Sequence, residues 1–430
     1  MLLRNRDKIF TIEKFYIYNY VLLFLVFYFI IFDYSHFGLG IVVFIIFFGF
    51  ETIITKPFKV CSQLLVIFFY FKKFFLGYYS DNSFIWKSSF YSSYDPYFPD
   101  LILVLRQINC NSLDCVNVGG YGPLLYLIRT EINIDIFIEN FLYILFFGIC
   151  IFILRIFSHL EKYTNLLLIA LVSPTLNLLI HQMNIDIFFI IAAVICLQNP
   201  SKNTLLKAFV LLIISLLKLH PAFLILGLIL LGYLRKDKKI FVINLISLIV
   251  FMTIFIWYLF DQNTLLSSPR PSGLQNSIGL LSVSQFLWIN FIKITNQYRD
   301  VLIIYILLGV FLLIVFIKVK GRYQSNRSHI SDIEFIISLW VFLNYLYANY
   351  DYRTAILMPI FLITLSTKRN KESRILLLLF ILSPINTIYN IYFLNLLILL
   401  KTVVFFIIFL ELGGNIYAYY RQKTIINNSS

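Results

Sequence analysis

The feature that most constrains this chain is the recurrence, along its whole length, of apolar runs of about 17 to 22 residues separated by short polar clusters. Each run is close to the ~20-residue helix that crosses the ~30 Å hydrocarbon core of a bilayer. Composition agrees: 60% of the residues are hydrophobic and 13% charged, with a mean hydropathy of +0.87, too little polar surface to cover a soluble domain of 430 residues. Lipid offers no hydrogen bonds to the backbone, so the runs are expected to be helices, and the period-two alternation of an outer-membrane barrel is absent. The expected fold is all-α, a polytopic transmembrane helical protein of about 12–14 spans forming a single integral membrane domain over 1–430.

Spans are expected near 16–33, 39–55, 60–77, 136–157, 164–182, 185–198, 204–217, 221–234, 240–260, 300–318, 332–348, 354–367, 374–391 and 393–412. The first is read as uncleaved, because Arg4, Arg6, Lys8 and Lys14 precede a run too long for a signal-peptide core and no small-residue cleavage site follows. With the N-terminus cytoplasmic, strict alternation places every short basic loop on the cytoplasmic side. These loops are Lys56/Lys59, Arg155/Lys162, Lys202/Lys207, Arg235 to Lys239, Lys318 to Arg327, Lys368 to Arg374, and Arg421/Lys423. The net charge of +14 is therefore read as a topology signal and not as a nucleic-acid surface. The same alternation puts two long loops outside, a large first one at 78–135 and a second at 261–299. No paired CxxC or other metal-ligand spacing occurs, and no metal or cofactor is expected.

Charges at a membrane edge are costly, so those outside the basic loops invite a functional reading. Four clusters stand out, and the alternation places all of them outside. The first loop carries Asp95, Asp100, Arg106, Asp114 and the turn Gly119-Gly120-Tyr121-Gly122-Pro123. HQMNID holds His181, Asn184 and Asp186; KLHP holds Lys218, His220 and Pro221; NYDYR holds Asp351 and Arg353. Carboxylates beside cations and an imidazole at one surface are what a general base, a phosphate clamp and a polar pocket require. Each residue also has a plain structural reading. Asp351 and Arg353 can anchor a span end in the headgroups, Lys218 can snorkel, and His220 can be a polar rim residue. Asn184 and Asp186 can cap the following helix, and Cys110 with Cys115 can form a disulfide in an oxidising compartment.

HQMNIDIFFII, SLLKLHPAFL and ANYDYRTAILMPIF together resemble the pattern of glycosyltransferase family 87 and its bacterial relatives, within the GT-C superfamily. The loop GLQNSIGLLS, with Asn276 and Ser277, is similar to a polar outer-loop segment of that family. The likeness runs from about Asp95 to Pro359. Family members often have Glu-Arg-Gly before the Asn-x-Asp and Tyr before the Pro, where this chain has His181-Gln182-Met183 and His220.

The resemblance implies a GT-C-like inverting transferase that takes a hexose, such as mannose, from a polyprenyl-phosphate donor. Delivery would be to a lipid-linked or glycan acceptor at the outer membrane face; the alternation of basic loops puts both termini in the cytoplasm, and the loop-poor chain without an organelle address points to a bacterial inner membrane. Such a donor needs no nucleotide pocket, and the chain has no Gly-rich phosphate loop. On this reading Lys218, Arg353 and Arg106 hold the donor phosphate. Asp100 is the foremost general base, followed by Asp114 and Asp95, while Tyr121, Asn184, Asp186, His220, Asn276 and Asp351 shape the substrate pocket. The partners would be the lipid-linked donor, the acceptor and membrane lipids, with no nucleic acid. The competing readings are a transporter, flippase or polymerase of lipid-linked saccharides, which predicts internal repeats and mid-membrane polar groups, and a non-catalytic scaffold.

Overall fold

The computed structural model describes residues 21–24, 26, 55–72, 75, 124, 134–173, 175–176, 179, 202–262, 277–288, 297–326, 330–346, 349–382 and 391–429. Among these the chain is almost wholly helical. Four helices are long and apolar enough to cross a membrane: Asn140–His159, Lys238–Tyr258, Asp300–Lys318 and Ile398–Ile425. Thr204–Leu217, Ala222–Leu234 and Thr354–Ser366 are shorter and also apolar. The helices are α1 (Lys56–Phe71), α2 (Ile134–His159), α3 (Thr164–Leu171), α4 (Thr204–Leu217), α5 (Ala222–Leu234) and α6 (Lys238–Gln262). They continue as α7 (Leu280–Leu287), α8 (Gln297–Asn326), α9 (Asp332–Leu346), α10 (Met358–Ser366), α11 (Asn370–Leu382) and α12 (Ile391–Ser429). The expected spans near 39–55, apart from Thr55, and near 185–198 lie outside the described residues, as do that near 16–33 except for 21–24 and 26 and the first large loop except for Leu124, Ile134 and Asp135.

Helix boundaries follow local chemistry. α1 starts earlier than the apolar run because Thr55 Oγ1 accepts the Phe58 N–H at 3.4 Å and Pro57 sits in the first turn, where its missing N–H costs nothing. α3 stops at Leu171, short of the expected span end, and the sequence places Pro174 just beyond, a residue that cannot donate to a continuing helix. α12 runs past its expected end through Gly413 and Gly414. A helical glycine costs about 1 kcal/mol relative to alanine, and contacts from Asn415, Tyr417 and Tyr419 to neighbouring helices offset that loss.

Backbone contacts divide the chain into two compact units. Unit 1 comprises Met1–Pro99, Asn133–Met183 and Thr364–Leu397. Within it, Lys59 Nζ meets Glu161 Oε2 at 2.7 Å just ahead of α3, and the Tyr70 hydroxyl donates to the Leu171 carbonyl at 2.9 Å at the far end of α3. The two contacts align α1 and α3 in parallel. Thr175 ties the chain beyond α3 to the Phe380 carbonyl of α11 at 2.7 Å. On the other side of α1, Phe71, Phe75 and Phe146 form an aromatic cluster with α2.

Unit 2 comprises Asp100–Ile132, Asn184–Ile363 and Ile398–Ser430. α5 and α6 form its tightest hairpin. Lys236 takes a left-handed conformation (φ 56°), the Asp237 N–H closes onto the Gly232 carbonyl at 2.9 Å, and Asp237 Oδ1 then caps α6 by accepting the Ile240 N–H. Gly232 permits the approach, since a Cβ there would lie 2.6 Å from the Phe241 nitrogen. α9 and α12 pack antiparallel through Phe335 on Tyr419, Ser338 on Asn415, Phe342 on Phe409 and Tyr345 on Phe405.

The outward faces are as apolar as the inward ones. Ile144 and Phe147 of α2, and Leu302, Leu307 and Phe311 of α8, are each more than half exposed. Faces of this kind would aggregate in water and are well solvated by acyl chains.

Candidate functional site

One end of unit 2 carries Arg235 and Lys236 at the end of α5 and Arg421 and Lys423 near the end of α12. Arg235 Nη2, at the C-terminus of α5, meets Asp332 Oδ2 at 2.9 Å, and the Tyr419 hydroxyl donates to Asp332 Oδ1 at 2.6 Å. Gln422 of α12 accepts the Ile330 N–H at 3.4 Å. The opposite end brings together several of the polar motifs.

There the KLHP segment turns the chain from α4 into α5. Lys218 ends α4 in an extended conformation (φ −150°, ψ 131°), and the Leu219 carbonyl accepts the Ala222 N–H at 3.1 Å. Pro221 has φ −63°, pre-set for a helix start. Lys218 is only 2% exposed, so its position is enclosed and not at the rim that snorkelling would favour. An ammonium in such a place is retained by anionic or carbonyl oxygen partners, because desolvation alone would expel it.

His220 is fixed by α9. Its carbonyl accepts the Trp340 indole N–H at 3.2 Å across 120 residues of sequence, and the two rings stack with centroids 5.8 Å apart at 18°. The indole thereby satisfies its polar N–H while burying its apolar body. Trp340 is six residues before the end of α9, about 9 Å of helical rise. Immediately beyond, Asn349–Tyr350 forms β2 and pairs antiparallel with β1, Ser277–Ile278, in the register Ser277↔Tyr350 and Ile278↔Asn349. Asn349–Tyr350 of NYDYR therefore lies beside Ser277–Ile278 through its backbone. A 3-10 helix, Asp351–Leu357, follows and touches β1, with Thr354 to Leu357 buried. Asp351 and Arg353 sit in this helix.

One described residue of the segment expected to form the first large loop lies near this turn. Leu124, two residues after Gly122, packs against the cluster of Leu216, Ala222 and Phe251 that flanks KLHP. A second buried cation lies in α12: Lys401 is 0% exposed and stands one turn from Phe405, the partner of Tyr345 in the last turn of α9. The sequence reading passed over both Lys401 and Trp340. Their signals were a lone Lys in an apolar span and a Trp nine residues ahead of NYDYR.

Of the expected site residues, Lys218 and His220 are described in full, and Asp351 and Arg353 by their backbone. Asp100, Arg106, Asp114, Tyr121, Asn184, Asp186 and Asn276 lie outside the described residues, as do Cys110 and Cys115. What the arrangement offers is a cation at an enclosed turn, a ring stack that immobilises that turn, and, beyond the end of α9, a backbone bridge that adjoins an arginine-bearing 3-10 helix. Such a set can hold a phosphate or another anionic group at the end of a helical bundle. Compared with protein-family models, curated proteins and solved structures, the chain matches none.

Proposed function

We propose that this chain is a multi-pass membrane glycosyltransferase that moves a hexose from a polyprenyl-phosphate donor to a lipid-linked or glycan acceptor at the outer face of a bacterial inner membrane. The observation that supports the reading is that KLHP is held by Trp340 of α9, the helix that leads into NYDYR, whose Asn349–Tyr350 pairs with Ser277–Ile278. In the proposed reaction a loop carboxylate, Asp100 first and Asp114 second, takes the proton of an acceptor hydroxyl. The hydroxyl oxygen bonds to the anomeric carbon with inversion, and the C–O bond to the phosphate breaks with its electron pair. The departing polyprenyl phosphate carries the extra negative charge, which Lys218 and Arg353 would stabilise, with Arg106 beside them. The basic end of the unit would then face the cytoplasm.

The test is transfer of radiolabelled sugar from polyprenyl-phosphate mannose or glucose to endogenous acceptors in membranes bearing the wild-type chain or Asp100→Asn. Transfer by the wild type that is lost in a folded Asp100→Asn variant would support the reading. No transfer from either donor, with lipid-linked saccharide instead changing leaflet, would replace it with a transporter.

A further inference from the structure

Unit 2 contains a cavity of about 710 Å³ between α5, α7, α8, α9 and α12 that plays no part in the proposed chemistry. Leu339, Phe342 and Phe409 form one wall, and Leu312 and Phe316 the other. Along α9 it extends from Phe335 to Leu346, about 17 Å of helical rise. That is close to half of a ~30 Å hydrocarbon core, the depth reached by the chains of a single leaflet. The cavity opens sideways, because Tyr233, Leu313 and Tyr420 line it and are 69%, 57% and 52% exposed. Room is left at Gly309, where an added Cβ would meet no atom within 4 Å.

Its two ends differ in charge. At one end Tyr233, Tyr417 and Tyr420 bring phenol groups into an otherwise apolar lining, as side chains at a headgroup boundary do. Basic residues follow at once: exposed Lys236 lies three positions after Tyr233, and exposed Arg421 one position after Tyr420. At the other end Leu280 and Leu346 close the groove with apolar groups.

We infer that this groove seats an acyl chain of an anionic phospholipid from the leaflet at the basic end, with the lipid phosphate held by Lys236 and Arg421. An apolar slot of one-leaflet depth, open to the side and basic at the mouth, matches a bilayer lipid in length, entry route and charge. The site is separate from the proposed transfer reaction and rests only on the chain lying in a membrane.

The experiment is lipid titration of the purified full-length chain, followed by native mass spectrometry, with dioleoyl-phosphatidylglycerol or dioleoyl-phosphatidylcholine. Phosphatidylglycerol should bind more tightly, and Lys236→Gln and Arg421→Gln should each lower its affinity about fivefold while leaving phosphatidylcholine unchanged. Gly309→Phe, which fills the slot, should weaken both lipids about tenfold or more, since displacing even two methylenes costs that much. Gly148→Phe, on α2, where an added Cβ also meets nothing within 4 Å, should change neither. Equal binding of the two lipids, or Gly309→Phe binding like the wild type, would overturn the site while leaving the membrane assignment in place. Release of the chain from membranes by alkaline carbonate without detergent would overturn both.

Discussion

The two ends of unit 2 are built from different materials. At the basic end, Arg235, Asp332 and Tyr419 are joined by side-chain polar contacts between helix termini, and the Arg235 and Asp332 side chains are 36% and 18% exposed. At the other end an indole N–H meets a carbonyl, an imidazole stacks on the same indole, and two strands of two residues pair through their backbones. A partly exposed ion pair such as Arg235–Asp332 can be exchanged for water at little cost, whereas the indole N–H of Trp340, 1% exposed, must keep its partner. The Arg235–Asp332 pair should therefore tolerate change without loss of transfer, and the Trp340–His220 contact should not.

Substitutions at each end test that difference. The largest effect is expected from Lys218→Ala: sugar transfer per folded molecule should fall about 100-fold, the loss typical of removing one preorganised group that stabilises transition-state charge. A variant that transfers normally would remove the KLHP turn from the site. Next is Gly232→Ala at the basic end, where the new methyl would collide with the α6 backbone at Phe241. Overpacking of this kind costs about 2 kcal/mol, read as a lower melting temperature in detergent with transfer per folded molecule intact. Loss of transfer at full stability would show that the basic end takes part in the reaction. Trp340→Phe keeps a ring on His220 but removes the donor to its carbonyl. It should destabilise by about 1 kcal/mol and also reduce transfer, by letting the Lys218–Pro221 turn shift. The smallest effect is expected from Asp332→Asn, about 0.5 kcal/mol by thermal unfolding, because its partner Arg235 is partly solvated and an amide oxygen can still accept from the buried Tyr419 hydroxyl. A loss as large as that of Gly232→Ala would mean that the Arg235–Asp332–Tyr419 contacts hold the bundle and would erase the contrast between the ends.

Much of the helical framework was legible in advance because a bilayer-length apolar run has few alternatives. Thr204–Leu217 coincides with its expected span, and Ala222–Leu234 and Asp332–Leu346 come within a few residues of theirs. Pro221 announced the start of α5, and Lys236 to Lys239 the turn into α6. The ends of α3 and α12 were less legible, since one depends on a proline that interrupts an apolar run and the other on tertiary contacts that carry a helix through two glycines. Within the candidate site, Lys218 and His220 were visible as polar residues among apolar ones. Trp340 was not, because a tryptophan in an apolar helix looks the same whether or not its N–H has a partner.

By itself, the sequence determined that this chain is α-helical with helices suited to a membrane, since the length and apolarity of each run depend on local composition alone. It also marked the polar segments that interrupt those runs. Only the tertiary structure decided that Asn349–Tyr350 pairs with Ser277–Ile278, that Trp340 holds the His220 turn, and that Lys401 is buried near the level of α9's last turn. The physical reason is that helix formation is settled within a few turns of chain. Which distant turns meet is settled by how the finished helices pack, and similar apolar faces leave that choice unmarked in sequence.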